Sequence, residues 1–168
     1  MSNMANFIVA KKIHELAFGK LMEVYEEGNL ENGRELYPEE SESRQIALAE
    51  QDFYQYLQQV FFRTSGAAYY ILEEGGRYIS ALRLEPYRDG MLLEALETAP
   101  NQRRKGYAAK LLRAALEQVG DIKIYSHVHK RNAASLRVHE NCGFHRIMES
   151  AVYADGSADR RCCTLLRD

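Results

Sequence analysis

The chain has 168 residues with a formal net charge of −2; 46% of residues are hydrophobic and 27% charged. That length carries a sizeable core, and the composition excludes a collagen, a coiled coil or a disordered chain as the main state. The near-zero net charge argues against a general nucleic-acid binder.

The charge is uneven along the chain. Residues 1–60 carry 5 Lys/Arg against 11 Asp/Glu, whereas residues 61–168 carry 17 against 13, so an acidic front precedes a basic back and the two could meet different partners. The front opens on a strand reading, Phe7 to Lys12. Phe18, Leu21, Met22 and Tyr25 then recur at helical spacing, with Gly28 as the expected stop. Asn29 to Glu42, containing Gly33 and Pro38, reads as a loop. Ile46, Ala49, Phe53, Leu57 and Val60 mark a helix over Ser43–Phe62.

The middle changes to β signals. Ala68–Leu72 and Tyr78–Leu84 flank a turn at Glu73, Glu74, Gly75 and Gly76; Asp89 and Gly90 make a second turn into a strand from Met91 to Thr98, which Pro100 ends. These three strands read as an antiparallel meander. Ala108, Leu111, Leu112, Ala115, Leu116 and Val119 then give the clearest amphipathic helix, closed by Gly120. Asp121–Val128 reads as a strand with Tyr125, His127 and His129 on one face. A strand–helix–strand run of this length suits a right-handed crossover to a parallel neighbour.

Asn132 to Phe144 reads as a helix capped by Asn132 and ended at Gly143, with Asn132, Ser135 and His139 along one stripe. His145–Tyr153 and Arg160–Arg167 read as a hairpin around Asp155 and Gly156. The expectation is a single mixed α/β domain over residues 1–168.

The segment from Thr98 to Leu112 carries the chemistry. Arg103, Arg104 and Lys105 precede Gly106, which permits a left-handed backbone and close approach by a ligand. Ala108 keeps the first helical turn uncrowded. The free N–H groups of a helix start, its dipole and three cations make an anion site suited to a pyrophosphate. Neither a Walker loop nor a GxGxxG run is present. The three cysteines, Cys142, Cys162 and Cys163, are odd in number and lack a CxxC spacing, so they read as reduced thiols in a cytoplasmic protein. His127 and His129 lack companions for a metal site, and no apolar run is long enough for a signal peptide or membrane span.

Arg103-x-x-Gly106-x-Ala108 resembles the acyl-CoA signature, Arg/Gln-x-x-Gly-x-Gly/Ala, of the GNAT superfamily of N-acetyltransferases. Asn132-x-x-Ser135, continuing to Gly143 and Phe144, resembles the downstream helix of the same family. The resemblance runs from about Tyr69 to Phe144 and is weak before residue 65. It implies a GNAT-like central sheet, mostly antiparallel with one parallel strand pair and flanked by helices. It further implies transfer of an acetyl group from acetyl-CoA to a primary amine, without a metal.

Carried over position by position, the amides of Arg103, Arg104, Lys105, Gly106, Tyr107 and Ala108 would hold the CoA pyrophosphate. Backbone groups around Leu96 and Thr98 would pair with the pantetheine arm, one N–H polarising the thioester carbonyl. Asn132 and Ser135 match positions that touch the cofactor arm.

The family's frequent tyrosine, proposed as the acid for the leaving thiolate, is here His139. Neutral imidazole is a poor full proton donor, so an acid role for His139 would show as a basic-limb fall in activity; the other reading is a packing residue. His127 is the first choice for the base that deprotonates the amine, and Glu94 the second. Glu97 has opposite parity to Glu94 unless a bulge resets the strand. His129 faces either the cofactor or solvent.

The acidic front suggests a cationic acceptor such as a polyamine, an aminoglycoside-like amine or a peptide amine, with Tyr37, Tyr54 and Tyr56 as candidate lining. No nucleic-acid or membrane partner is expected; the final hairpin suits a homodimer interface. Two competing readings are a CoA-binding sensor that has lost turnover and a phosphate-binding module that uses only the basic loop.

Overall fold

A computed structural model describes residues 4–168. The chain runs β1 (Asn6–Ala10), α1 (Phe18–Val24), α2 (Glu26–Leu36), α3 (Glu42–Gln59), β2 (Ala68–Glu74), β3 (Arg77–Tyr87), β4 (Gly90–Thr98), α4 (Tyr107–Val119), β5 (Ile124–His129), α5 (Ala133–Asn141), β6 (His145–Met148), β7 (Ala151–Val152), β8 (Ala158–Asp159) and β9 (Cys162–Arg167). Strands β1-β2-β3-β4-β5-β9-β6 form one sheet in that order. Every pairing in it is antiparallel except β4–β5. The mixed α/β fold with one parallel pair is the one the sequence pattern and the family resemblance call for.

Both faces of the central strands are covered, which explains the unbroken apolar run at Ala68–Leu72. Tyr70 and Leu72 join Leu82, Leu84, Leu93, Ile124 and Val128 under α4, whose Leu111, Leu112, Ala115 and Leu116 are buried against them. Each such leucine contributes about 1.5–3 kcal/mol by leaving water. Tyr69 and Ile71 point the other way, onto Leu21, Val24, Leu57 and Phe61 of the front layer.

The front differs from the sequence reading. Most of the expected loop is helical: α2 begins directly after Tyr25, which breaks it from α1, takes in residues 29–36 and leaves only 37–41 as a turn, and Gly28 lies inside α2 rather than stopping α1. Helical spacing was hidden by two glycines and the scarcity of apolar residues, and tertiary packing supplies what propensity lacks. Gly33 is required for that packing, because a Cβ there would stand 2.5 Å from the Gln45 carbonyl oxygen of α3. Helix α3 starts at Glu42 with Ser41 as its cap, and Phe61–Arg63 forms a separate short 3-10 turn rather than its last residues. At the other end, β6 pairs with β9, and the Asp155–Gly156 turn closes only the small β7–β8 ribbon. No helix among the described residues is long and apolar enough to cross a membrane.

Candidate active site

Strands β4 and β5 pair in parallel only from Met91–Ile124 to Leu93–Ser126. Beyond Leu93 they part. At the parting β4 carries a bulge: Arg83 faces Glu94 and Ala81 faces Glu97, so Ala95 and Leu96 stand opposite the single residue Leu82. The extra residue resets the side-chain parity, placing Glu94 and Glu97 on one face of the sheet. The opening is the mouth of a cleft of about 640 Å3, lined among others by Leu96, Thr98, Arg103, Gly106, Ala108, Asn132 and Ser135.

The basic loop forms one wall. Arg104 and Gly106 both adopt left-handed backbone, with φ of 64° and 82°, and the turn delivers the start of α4 into the cleft. No side chain caps that helix, so its first N–H groups remain available and, with the helix dipole, favour an anion. A glycine at position 106 takes that φ without the penalty a β-carbon brings. Arg103 donates through Nε to the Thr98 carbonyl at 3.3 Å and pairs with Glu27 of α2 at 2.8 Å. Glu27, Glu31 and Glu97 face the same cleft. Burial raises the Glu97 pKa, Arg103 lowers it, and Glu27 and Glu31 push it up again. The acidic front and the basic loop therefore meet at this cleft.

Helix α5 forms the opposite wall. Asn132 caps it by accepting the Ser135 N–H at 3.1 Å, and Phe144 N–H donates to the His139 carbonyl at 3.0 Å past left-handed Gly143, a glycine-type ending. His139 does not line the cleft. It is 1% exposed, with Nδ1 2.7 Å from the Ser135 carbonyl and Nε2 2.9 Å from Ser126 Oγ. A carbonyl only accepts, so Nδ1 carries the proton and the Ser126 hydroxyl donates to Nε2. Burial lowers the His139 pKa, which the Ser135 carbonyl partly offsets; the ring is neutral and engaged on both nitrogens.

The sheet face turned away from α4 holds the other candidates. Glu94 accepts from Arg83 Nε at 3.2 Å. The Arg83 guanidinium lies 5.1 Å from the Tyr56 ring and 5.8 and 5.7 Å from those of Phe53 and Phe61, a cation desolvated against aromatic faces. Glu85, on β3, is pushed up to about 7 by burial and by the Glu94 carboxylate beside it, against the pull of Arg83. Glu85 thus holds its proton toward neutrality beside the Glu94 carboxylate.

His127 stands edge-on between Tyr87 and Tyr153, with ring centroids at 5.6 and 5.5 Å. Its Nε2 is buried without a hydrogen-bond partner, and burial and Arg88 lower its pKa. His129 is exposed, its Nδ1 accepting the Arg131 N–H.

The cleft brings together Leu96, Thr98, Arg103, Arg104, Gly106, Tyr107, Ala108, Asn132 and Ser135. Lys105 lies outside its lining, exposed and bonded to Gln102. Tyr107 points its hydroxyl to Glu74 at 2.6 Å. Glu94 and His127 lie outside the lining, on the sheet face turned away from α4.

Tyr54 packs on Phe18 and Tyr37 bonds Asp52, so of the three tyrosines only Tyr56 reaches the Arg83 cluster. Sequence reading missed Arg83, Glu85 and Tyr25. The available signal was Ala81, Arg83 and Glu85 alternating onto a face that the neighbouring residues mark as inward. Among the described residues no group of three His, Cys, Asp or Glu side chains is placed to hold a metal ion.

The sequence profile of the acetyltransferase (GNAT) family matches residues 30–144 of the chain. No curated protein matches it in sequence. Among solved structures, the PaiA N-acetyltransferase from Thermoplasma acidophilum, in complex with coenzyme A, is similar at 16% identity with a TM-score of 0.63, over 97% of this chain and 99% of that one. The ribosomal-protein-S18-alanine N-acetyltransferase from Escherichia coli is similar at 16% identity with a TM-score of 0.57, over 98% and 93%. The IAA acetyltransferase from Bacillus cereus is similar at 19% identity with a TM-score of 0.56, over 99% of both chains.

Proposed function

The chain belongs to the acetyltransferase (GNAT) family, and from that premise we propose that it transfers an acetyl group from acetyl-CoA to the amine of a cationic acceptor. One observation carries the reading: the parted β4 and β5 strands, an uncapped helix start and the Asn132–Ser135 turn all open onto a single cleft. The donor set fits CoA. The α4 amides and Arg103 suit a pyrophosphate, and the unpaired edge of β4 beyond Leu93 suits an amide-bearing arm laid in place of a strand.

In the transfer, the carbonyl carbon gains a bond to nitrogen and loses its bond to sulfur, while the amine gives up a proton. Leu96 N–H supplies a donor to the carbonyl oxygen as negative charge develops there. The base is Glu94 with Glu85 beside it, whose carboxyl is pushed up to about 7. A carboxyl raised to that range suits taking a proton from an amine far better than an ordinary carboxylate does. His127, enclosed by Tyr87 and Tyr153, shapes the wall beside them rather than taking the proton. His139 packs α5 onto β5; a thiol titrates near 8.5, so the thiolate departs without a dedicated acid. The carboxylates at Glu27, Glu31, Glu85 and Glu94 favour an acceptor with more than one positive charge.

The experiment is a thiol-release screen with acetyl-CoA over polyamines, aminoglycoside-like amines, amino acids and peptide N-termini. Release that depends on a multivalent amine supports the reading. Binding of acetyl-CoA with no release across the panel would favour a non-catalytic CoA sensor.

A further inference from the structure

A chain of buried hydroxyls runs beneath the bulge of β4 and has no part in the steps above. Tyr69, fully buried on β2, donates its hydroxyl to Tyr25 Oη at 2.7 Å. Tyr25, at the junction of α1 and α2, donates its own hydroxyl to the Ala95 carbonyl at 2.6 Å. The Tyr25 ring is held in turn by Phe53 and Tyr69, with centroids at 5.5 and 6.4 Å.

The accepting residue is unusual. Ala95 has φ of 53° and is not glycine, a left-handed conformation that a β-carbon disfavours and that persists only where surrounding contacts hold it. Neither Ala95 nor Leu96 shares in the ladder register with β3 or β5. The Tyr25 hydroxyl thus gives the Ala95 carbonyl a fixed side-chain donor.

Peptide planarity converts that contact into an orientation. No cis peptide bond occurs among the described residues, and in a trans peptide the carbonyl of one residue and the N–H of the next point in opposite directions. Holding the Ala95 carbonyl toward Tyr25 turns the Leu96 N–H away from the front layer, on the side where β4 has left β5 and Leu96 lines the cleft.

Resting on the acyl-transfer reading, we infer that Tyr25 is a positioning residue: its hydroxyl holds the Ala95–Leu96 peptide so that the Leu96 N–H faces the thioester oxygen. Tyr25 touches neither substrate; it acts through a backbone amide. A donor placed for the developing oxyanion changes the rate of the chemical step more than it changes the binding of acetyl-CoA.

The test compares Tyr25→Phe with Tyr69→Phe. Both remove one buried hydroxyl from the same chain, but only the first frees the Ala95 carbonyl. With an accepting amine, Tyr25→Phe is expected to lower kcat tenfold or more, the loss of a whole oxyanion donor being worth about 10²–10³. The KM for acetyl-CoA and the Kd for CoA should stay within about twofold, since the groups that hold the pyrophosphate are untouched. Tyr69→Phe should keep kcat within about twofold of wild type. Wild-type kcat in Tyr25→Phe, or an equal loss in Tyr69→Phe, overturns the inference.

A wild-type chain that binds acetyl-CoA but acetylates no amine would overturn the transfer reading alone. The clamp is then read from the Leu96 amide resonance. It should move more with acetyl-CoA than with CoA in wild type and should lose that difference in Tyr25→Phe. The same difference in both proteins overturns the clamp.

Discussion

His139→Ala separates a proton donor from a packing residue. The imidazole is 1% exposed, packs edge-on against Phe144 at 5.0 Å, and accepts from a Ser126 hydroxyl that is itself 1% exposed. Removing the ring leaves a cavity costing about 2–3 kcal/mol, taken from the lower half of large-to-small core substitutions. It also leaves the Ser126 hydroxyl with only the Leu93 carbonyl at 3.5 Å, a loss of about 1 kcal/mol. The sum, about 3–4 kcal/mol at neutral pH, is a large part of the 5–15 kcal/mol of a typical domain.

The pH dependence supplies the sign. His139 has a folded pKa below its ordinary 6.5 because burial resists the charged form. Below pH 6.5 the unfolded chain therefore binds a proton that the folded chain refuses, and wild type loses up to about 1.4 kcal/mol per pH unit through this group. The variant lacks that loss. His127, also lowered, is common to both proteins and cancels. Denaturant unfolding at pH 7.5, 6.5 and 5.5 should show the gap between wild type and His139→Ala shrinking on acidification. The folded variant should keep the basic limb of the wild-type activity profile. A gap that stays constant or widens would refute the buried neutral imidazole; loss of the basic limb would restore the acid role.

Three further outcomes follow. Arg103→Ala should weaken CoA binding by roughly tenfold, the loss of one charge-assisted phosphate contact, read by calorimetry. Its stability should barely change, because its Glu27 partner is exposed. Gly33→Ala should destabilise by about 1–3 kcal/mol as α2 is pushed off α3, seen as a lower Tm. Glu85→Gln should gain stability relative to wild type as pH rises from 4.5 through 7. The folded wild type holds a proton on Glu85 across that window that the unfolded chain releases, so it loses stability there and the variant does not. The same substitution should move the acidic limb of activity downward in pH.

Much of the back half could be read directly from sequence. The period of α4, its closing Gly120 and the turn residues before β3 and β4 are local signals, and local signals decided those elements. The cleft walls were legible for the same reason: Gly106 and Asn132 shape their own backbone. The front was not, because α2 is polar and glycine-bearing and is held by α3 through the Gly33–Gln45 approach. The bulge at Ala95 lay hidden too, since a left-handed alanine carries no turn signature. Without it, the parity that puts Glu94 with Glu97 could not be assigned. Glu85 and Tyr25 are joined to Glu94 and Ala95 only through the register of β3 on β4 and the docking of the front layer, contacts across long stretches of chain. His139 was placed on the cleft stripe by helical spacing, yet the roll of α5 on β5 turns it toward Ser126.

The most direct measurement is the product balance of the wild-type chain with acetyl-CoA and a multivalent amine. Free thiol and acetylated amine should appear in equal amounts, with neither formed when the amine is omitted. Thiol released without acetylated amine, or acetyl-CoA recovered intact after prolonged incubation with every amine of the panel, would contradict the account.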